Sequence, residues 1–375
     1  MSETQKHTKP NVPNLRFPGF EGEWECKQVK EIAPLQRGFD LPSHQLRVGM
    51  YPVVYSNGIM NFHADFKCDA PGLVTGRSGT IGKLTFIEKG KYWPHNTALW
   101  VTDFKNNYPK FIFYFYEHLD LSRFSSGSGV PTLNRNDVHA YKAFIPSLAE
   151  QKKIASLLTL LDTRISIQNR VIEDLKKLKA AIEDWCISQF KGTLVRLVDI
   201  LTERNEKSER NNQYEVLSST VSGIYSQRDY FNKDIASADN TGYKVIRRGD
   251  IVLSPQNLWM GNINYNDKFD IGIVSPSYKV FSIKPMFDSR FVASLLKSKK
   301  ALWEYSLVSE QGASIVRRNL SIDGFMEIAF LIPNKEEQKT IGDTIAAVNH
   351  RIELENSLLN GINRQKLYLL NQLFI

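Results

Sequence analysis

The stretch Ile145-Pro146-Ser147-Leu148-Ala149-Glu150-Gln151-Lys152-Lys153-Ile154 opens a long run of helix-forming residues, and its pattern returns near the end of the chain. There, Ile332-Pro333 is followed by Glu337-Gln338-Lys339 and Ile341, at an offset of 187 residues. An internal repeat of this length indicates a duplicated domain, since solenoid units span roughly 20–50 residues. The sequence therefore predicts two similar halves, each ending in a long helix.

The repeat continues along both predicted helices as an apolar stripe. Its members alternate in spacings of four and three residues, as in the seam of a coiled coil. They are Ile154, Leu158, Leu161, Ile165, Ile172 and Leu175 in the first helix, and Ile341, Ile345, Val348, Ile352, Leu359 and Ile362 in the second. Polar Gln168 and Glu355 interrupt the two stripes at equivalent positions. We therefore favour an antiparallel coiled coil of the two helices over packing of each helix on its own globular segment.

The segments that precede the helices have a mixed composition with short β-prone runs bounded by Gly, Pro and Asn. The predicted strands are Tyr51–Tyr55, Leu73–Thr75, Lys83–Ile87 and Ala98–Thr102 in the first half, and Tyr214–Leu217, Asp250–Leu253, Asn262–Tyr265 and Tyr278–Ile283 in the second. A helix follows in each half, at Lys110–Leu119 and Ser289–Lys297. The predicted fold class is α/β (mixed α+β). Globular domains are expected at residues 1–146 and 191–333, and long helices at 147–190 and 334–375, related by an internal pseudo-two-fold repeat.

Composition favours a polyanionic partner. The chain has 375 residues, with 48 Lys and Arg against 40 Asp and Glu, so its formal net charge is +8. A basic excess is compatible with nucleic-acid binding but does not establish it. The three cysteines form no disulfide or zinc pattern, and there is no secretory signal and no uninterrupted apolar stretch that could cross a membrane. We expect a soluble cytoplasmic protein that does not interact with membranes.

Catalytic motifs are missing from the sequence. No phosphate-binding G-x-x-x-x-G-K-[ST] loop, dinucleotide fingerprint, nucleophile elbow or H-E-x-x-H helix occurs, and the seven histidines form no metal-ligand cluster. The motif that positions a flipped adenine in aminomethyltransferases is absent as well. We therefore predict a binding protein without catalytic or metal-binding residues of its own.

Polar, glycine-containing loops provide the candidate binding residues. Two such loops occur at corresponding places in each half, around 75–83 and 125–135 and around 254–262 and 310–319. The candidate DNA-binding residues are Arg77, Ser78, Thr80, Lys83, Ser126, Ser128, Asn134 and Arg135 in the first half, and Gln256, Asn257, Trp259, Asn262, Gln311, Ser314, Arg317, Arg318 and Asn319 in the second. A tight hairpin without a binding role is the alternative interpretation of each glycine-rich loop.

The side chains of the matched loops differ between the halves. Arg suits a bidentate contact with guanine, and Gln or Asn suits one with adenine. The first half carries Arg77 where the second carries Gln256 and Asn257. Two copies of one scaffold with unlike loops would recognise two different short base sequences.

The chain resembles the specificity subunit of type I restriction–modification enzymes over essentially its full length. The residues that carry the resemblance are Leu15-Arg16-Phe17-Pro18-Gly19-Phe20-Glu21-Gly22-Glu23-Trp24 and the two Ile-Pro…Glu-Gln-Lys-x-Ile motifs. The resemblance implies that each globular segment is a target recognition domain for one half of a bipartite, asymmetric site on double-stranded DNA. It also implies that the helices fix the unread spacer and dock the methyltransferase subunits.

The resemblance further implies a non-catalytic subunit. Its partners would be two methyltransferase subunits, which use S-adenosylmethionine to methylate adenine, together with restriction and translocation subunits. S-adenosylmethionine, ATP and Mg²⁺ are expected on those partners, and no cofactor on this chain. Two other functions stay open: a coiled-coil scaffold that joins proteins without touching DNA, and an enzyme with an unfamiliar active site.

Overall fold

The computed structural model describes residues 11–126, 130–189, 192–231, 239–311 and 318–375. In the first half, the strands and helices follow one another in an order that ends with a 42-residue helix. They are β1 (Glu25–Gln28), α1 (Val29–Ile32), β2 (Leu35–Arg37), β3 (Tyr51–Tyr55), β4 (Gly58–His63), β5 (Cys68–Asp69), β6 (Gly72–Gly76), β7 (Leu84–Ile87), β8 (Lys91–Pro94), β9 (Ala98–Val101), α2 (Pro109–Leu119), β10 (Ser125–Ser126), β11 (Thr132–Leu133), α3 (Arg135–Ala140), β12 (Lys142–Ile145) and α4 (Leu148–Gln189).

The second half ends with a helix of 39 residues. Its elements are β13 (Thr193–Arg196), α5 (Leu197–Ile200), β14 (Leu201–Arg204), β15 (Leu217–Thr220), β16 (Gly223–Ser226), α6 (Gln227–Phe231), β17 (Lys244–Arg247), β18 (Asp250–Leu253), β19 (Ile263–Tyr265), β20 (Ile271–Val274), β21 (Lys279–Ile283), α7 (Ser289–Leu296), α8 (Lys299–Leu307), β22 (Ser309–Gln311), β23 (Arg318–Leu320), α9 (Ile322–Glu327), β24 (Ala329–Ile332) and α10 (Lys335–Leu373).

The two halves share one sheet topology. A four-stranded antiparallel sheet has the order β2-β9-β6-β7 in the first half and β14-β21-β18-β19 in the second. A two-stranded ribbon joins the first strand of each domain to the strand that leads into the long helix, as β1–β12 and β13–β24. The pairs β10–β11 and β22–β23 also correspond. The predicted duplication and mixed α/β class are confirmed by this shared topology.

The domains differ in what is added to the shared sheet. The first domain carries a second four-stranded sheet of order β4-β3-β8-β5, in which β3 and β8 are parallel. The second domain has the two-stranded sheets β15–β16 and β17–β20 at the corresponding place in the chain. Divergence of the halves is therefore concentrated in additions to a common scaffold.

Each domain has an apolar core in which one helix covers the shared sheet. The core of the first domain includes Phe111, Ile112 and Phe115 of α2, and that of the second includes Phe291, Val292 and Leu295 of α7. These residues recur at three- and four-residue intervals, the spacing that places them on one helix face.

The start of each long helix is fixed by the residues that the repeat contains. Pro146 and Pro333 cannot continue a helix on their N-terminal side, because proline lacks a backbone N–H and restricts the residue before it. At α10, the Asn334 side chain accepts from Glu337 N at 3.0 Å, and the Glu337 side chain accepts from Asn334 N at 3.3 Å. This reciprocal arrangement is a capping box.

The chain divides into two compact units, Met1–Asn169 with Ser357–Ile375 and Arg170–Asn356. Within the first unit, Ile154 and Leu158 of α4 belong to the same core as Ile362 and Leu370 of α10. Within the second, the end of α4 and the beginning of α10 line one cleft, through residues such as Lys179 and Ile345. One end of α4 therefore packs with the opposite end of α10 in the first unit, and the other two ends line one cleft in the second, as expected of antiparallel helices.

The long helices are only partly apolar. Within the described ranges, the chain contains no helix whose length and hydropathy would allow it to cross a bilayer.

Candidate nucleic-acid interface

The two polar loops of the first domain are joined by backbone hydrogen bonds. Leu133 N donates to Arg77 O at 2.8 Å, and Gly79 N donates to Pro131 O at 3.1 Å. A bridge between Ser78 and Thr132 lies between these bonds. The segment after β6 is thus tied to β11, although more than 50 residues of chain separate them.

A glycine conformation allows this turn. Gly79 has φ +80°, in the left-handed region that glycine adopts without a steric penalty. No heavy atom lies within 4 Å of a Cβ built there, so the requirement at this position is conformational. The turn leaves Thr80 and Lys83 exposed.

The junction opens onto a cleft of about 340 Å³. The cleft is lined by three arginines, Arg37, Arg77 and Arg135, together with Asn134 and Asn136. Several guanidinium and amide groups in a concave surface can donate to base edges and to phosphates. The cleft is therefore the best candidate for a nucleic-acid contact in the first domain.

Arg37 is a member of this group that the sequence reasoning missed. Its Nη2 donates to Asp40 Oδ1 at 3.0 Å, and Asn96 Nδ2 donates to the same oxygen. Both Arg37 and Asp40 are exposed. Nothing in the sequence connected Arg37 to the loop at Arg77, because their proximity depends on the pairing of β2, β9 and β6.

His95 borders the Asp40 cluster from a partly buried position. Its ring lies against that of Tyr55 at an interplanar angle of 36°, with centroids 4.2 Å apart, and its Nδ1 lies 3.0 Å from Thr97 Oγ1. Burial lowers the pKa of His95, against the opposing effects of a backbone hydrogen bond at Leu41 and the charge of Asp40. The neutral imidazole is thus favoured at neutral pH.

The equivalent loops of the second domain meet in the same way. Arg318 N donates to Gln256 O at 3.1 Å, which matches the bond from Leu133 to Arg77 in the first domain. The Arg318 guanidinium lies over the Trp259 ring, 4.3 Å from its centroid. A cation at this distance is attracted to the ring face, so Trp259 holds the guanidinium in place.

The exposure of the candidate DNA-binding residues varies. The exposed ones are Thr80, Lys83, Ser126, Asn134, Arg135, Gln256 and Asn319, and the half-buried ones are Arg77, Ser78, Asn257, Trp259 and Arg318. Ser128, Ser314 and Arg317 lie outside the described residues, and Gln311 is described only as the last residue of β22. In each domain the two loops are brought together at one place, as a shared binding surface requires.

Asn262 was predicted to contact DNA, but the structure places it inside the second domain. Its side chain is buried, and its Oδ1 accepts from Ser219 Oγ at 3.0 Å while its Nδ2 donates to Ser219 O at 3.1 Å. Asn264 joins the same network by donating to Ser219 Oγ at 2.7 Å. Because these bonds lie inside the domain, Asn262 supports the loop from within and does not face a ligand.

Asn134 is exposed but has a restricted role. Its Oδ1 accepts from Asn136 N at 3.0 Å and thereby caps α3. A bidentate contact with adenine needs both the oxygen and the nitrogen of the amide. The cap engages one lone pair of this oxygen and thereby fixes the orientation in which the amide can meet a base or a phosphate.

The proposed helix-pairing residues lie on the covered sides of the two long helices. Those that are buried are Ile154, Leu158, Leu161, Ile172, Ile345 and Ile362, and those that are half-buried are Ile165, Leu175, Ile341, Val348, Ile352 and Leu359. In the first unit the stripe contacts the domain core and the other helix together. Pairing of the long helices and packing of a helix on its own globular segment, which the sequence analysis treated as alternatives, therefore both occur in the first unit.

Metal-ligating groups are dispersed over the described part of the chain, where no three His, Cys, Asp or Glu side chains are close enough to hold an ion.

Comparison with known proteins gives a consistent assignment. The family described as type I restriction modification DNA specificity domain matches residues 21–177 and 202–364. The EcoprrI specificity subunit of Escherichia coli is 25% identical over 154 residues, which cover 40% of this chain and 38% of that protein. The MjaVIII specificity subunit of Methanocaldococcus jannaschii is 23% identical over 292 residues, covering 66% of this chain and 65% of that protein. The matches thus span between about two fifths and two thirds of these relatives.

Solved structures have the same fold. The S subunit of a type I restriction–modification system from M. genitalium superimposes with a TM-score of 0.63 at 15% identity, over 97% of this chain and 99% of that one. A chain from a structure describing complex assembly and conformational transition of a type I system gives a TM-score of 0.53 at 14% identity, over 96% and 99%. Because the family matches both halves of the repeat, the chain belongs to the type I restriction–modification specificity subunits.

Proposed function

We propose that this chain recognises a bipartite, asymmetric sequence on double-stranded DNA within a type I restriction–modification complex. Each domain would contact one half-site, the first through residues 1–146 and the second through residues 191–333. The observation that carries the proposal is the loop junction present in both domains. Its backbone geometry is shared, through the bonds at Arg77 and at Gln256, while the side chains it presents are unlike.

The two junctions offer different groups for base contacts. Arg77 and Arg37 at the cleft of the first domain suit guanine, whose O6 and N7 accept two hydrogen bonds from one guanidinium. Gln256 in the second domain is exposed and suits adenine. Two unlike junctions on one scaffold therefore support an asymmetric target, and the net charge of +8 supports attraction to the phosphates.

The long helices would fix the separation of the half-sites and bind the methyltransferase subunits. The helix surfaces that face away from the cores retain large apolar residues. Ile167 and Leu354 are 59% and 51% exposed and occupy equivalent positions in the repeat. Val171 and Leu358 form a second equivalent exposed pair. Repeated apolar positions of this kind suit two copies of one partner, because exposed apolar groups are common at protein interfaces.

The proposed subunit has no catalytic role of its own. Methyl transfer from S-adenosylmethionine and ATP-driven, Mg²⁺-dependent translocation and cleavage would take place on the methyltransferase and restriction subunits. The contribution of this chain is the selection of the DNA site on which those subunits act.

Exchange of one domain tests the proposal. Residues 1–144 are replaced by the corresponding segment of a related specificity subunit, and the methylated motif in the host is determined by sequencing before and after. We expect one half of the motif to change while the other half stays the same. A change in both halves, or in neither, would contradict the assignment of one domain to one half-site.

A salt titration separates this function from that of a protein scaffold. The logarithm of the binding constant for mixed-sequence duplex should fall linearly with the logarithm of salt concentration, because phosphate contacts release counterions. A pure protein scaffold would bind its partner subunits without retaining DNA at any salt concentration.

A further inference from the structure

We propose that Gln151 and Gln338 are positioning residues that fix the angle between each recognition domain and its long helix, and so set the spacer length that the subunit accepts. The inference rests on the proposed bipartite DNA recognition. It deepens that function by identifying the residues through which a helix would hold a domain in place.

Gln151 in α4 forms hydrogen bonds with the first domain through both polar atoms of its side chain. Its Oε1 accepts from Tyr108 N at 2.9 Å, and Tyr108 is the N-cap residue of α2. Its Nε2 donates to Asn107 Oδ1 at 2.8 Å and to Pro146 O at 3.0 Å. The side chain thus connects the helix to the start of α2 and to Pro146, which lies between β12 and α4.

Gln338 in α10 forms the equivalent bonds in the second domain. Its Oε1 accepts from Asp288 N at 2.9 Å, and Asp288 is the N-cap residue of α7. Its Nε2 donates to Pro333 O at 2.9 Å. The same atoms of the same residue type therefore contact the same two structural positions in both halves.

The contacts are shielded from water, because Gln151 is 2% exposed and Gln338 is 4% exposed. A buried amide requires partners for both its oxygen and its nitrogen, and these partners restrict its orientation. Rotation of a domain on its helix would break the bonds to Tyr108 N and Asn107 Oδ1 in the first half and the bond to Asp288 N in the second. The glutamine therefore opposes that rotation.

The charged members of the repeated Glu-Gln-Lys motif do not make the same contacts in the two halves. Glu150 is buried and paired with Arg16, whose Nε lies 2.8 Å from Glu150 Oε1. Glu337 is exposed and takes part in the capping box of α10. Lys152 and Lys339 are both exposed. Among these pairs, only the glutamines make the same domain contacts in both halves, which gives a physical reason for their repetition.

Close packing strengthens the contact between α10 and the start of α7 in the second domain. A Cβ at Gly342 would lie 2.6 Å from Asp288 Oδ1 and 3.0 Å from Phe291 N, so glycine allows α10 to approach the start of α7. Arg290 and Asp343 form an ion pair of 2.5 Å beside it. In the first domain Tyr114 serves a similar purpose by donating to Asp162 at 2.7 Å.

The test measures spacer preference separately from base preference. The full chain is assembled with the methyltransferase subunits of its own host and bound to a DNA library in which both half-sites are constant and the spacer length varies. The variants are Gln151→Met and Gln338→Met, which keep the length of the side chain and remove its hydrogen bonds. Lys152→Met and Lys339→Met are the matched controls, since each changes an exposed neighbour in the same turn.

The measured quantity is the ratio of the affinity for the native spacer to the affinity for a spacer one base pair longer or shorter. We expect this ratio to fall roughly tenfold in the glutamine variants, because a domain held less firmly on its helix can reach neighbouring positions. The bases preferred within each half-site should stay the same, and the lysine variants should match the wild type. A glutamine variant that melts earlier yet keeps its spacer preference would overturn the proposal and assign the residue a purely structural role.

A milder variant covers the case in which the methionine variants do not fold. Asn107→Ala removes one of the three bonds to Gln151 at a half-buried site. It should broaden the spacer preference by a smaller factor, and an unchanged preference would then count against the proposal. If the wild type itself shows no preference for a bipartite site, the proposed function fails first and the present inference fails with it.

Discussion

Lys366 Nζ of α10 lies 2.7 Å from Asp162 Oδ1 of α4, so an ion pair joins the two long helices within the first unit. The same ammonium contacts Glu117 Oε1 of α2 at 2.8 Å. Asp162 also accepts from the Tyr114 hydroxyl at 2.7 Å. One lysine of α10 thus connects α2 and α4, which lie far from it in the sequence.

Replacement of Lys366 by Met should destabilise the first unit. Burial works to lower the pKa of Lys366, but hydrogen bonds to Asp162 and Glu117 outweigh it and raise that pKa. Removal of the ammonium leaves two carboxylates facing each other without a cation, at a cost of about 1–3 kcal/mol for partly buried groups. Urea unfolding should show the loss. Arg364→Met, at an exposed position two residues earlier, is the control and should leave the stability nearly unchanged.

Asn262 and Gln256 should separate stability from recognition, although they lie in one loop. Asn262→Ala breaks the buried network with Ser219 and Asn264, which should cost about 1–3 kcal/mol because buried partners lose their hydrogen bonds. Gln256→Ala removes an exposed side chain and should leave the melting temperature unchanged while altering binding to the second half-site. Calorimetry and binding to cognate and mismatched duplexes distinguish the two. A lower melting temperature for Gln256→Ala alone would reverse the assignment.

Local patterns predicted the long helices and much of the sheets, because both depend on residues close in sequence. The apolar stripe and the Ile-Pro motif together placed α4 and α10, and the strands at Tyr51–Tyr55 and Asp250–Leu253 begin and end where predicted. The helix predicted at Lys110–Leu119 extends over Pro109–Leu119. Periodicity and turn residues are sufficient for elements of this kind.

The prediction of a strand at Tyr214–Leu217 was wrong in position. The strand begins at Leu217 and continues to Thr220, where it turns and pairs with Gly223–Ser226. The β-prone residues before Leu217 suggested the earlier start. Strand limits depend on which partner is available, and that information is not local.

Long-range contacts account for what the sequence could not supply in the binding site. The loop residues were found individually, but the bond from Leu133 to Arg77 and the approach of Arg37 to the same cleft depend on the packing of β2, β6 and β11. Asn262 was assigned to the binding loop because it ends the polar, glycine-containing stretch 254–262. Its spacing of two residues from Asn264 places both on one side of a strand, and this was the available sign of an internal network.

Lys297 should give the second unit a pH-dependent stability. Burial lowers the pKa of Lys297 to about 8, helped by the positive charge of Lys179. Its Nζ donates to Val221 O at 3.0 Å and to Gly261 O at 2.9 Å, so it supports the loop that carries Gln256. Since the unfolded lysine keeps its ordinary pKa of about 10.4, the unfolded state binds more protons between these values. Stability from this residue therefore rises with pH across that window.

The measurement compares the wild type with Lys297→Met from pH 7 to pH 10. The stability of the wild type relative to the variant should increase by about 2–3 kcal/mol over this range, because only the wild type carries the titrating group. Lys300→Met, which changes an exposed lysine three residues later, should show a constant difference from the wild type. A constant difference for Lys297→Met as well would mean that the folded state does not lower the pKa of this lysine.

Arg77 and Lys83 should affect DNA binding in different ways, although one loop carries both. The backbone of Arg77 is held on both sides, by donation from its N to Thr97 O at 3.0 Å and acceptance by its O from Leu133 N at 2.8 Å. A side chain on a fixed backbone at the edge of a cleft can discriminate between bases. Arg77→Ala should therefore relax recognition at about one base pair, at a cost of roughly 1–3 kcal/mol against the cognate site only.

Lys83 is exposed, and its Nζ donates to Asn57 O at 2.5 Å, so it presents a charge without a fixed base-reading geometry. Lys83→Ala should weaken binding to all sequences and reduce the salt slope by about one ion. Arg77→Lys is the deciding variant, because it retains the charge and loses the bidentate geometry of the guanidinium. If Arg77→Lys retains the discrimination of the wild type between cognate and mismatched duplexes, Arg77 contacts phosphate. The bases of the first half-site are then recognised by other residues of the cleft, and Arg37 is the first of these to test.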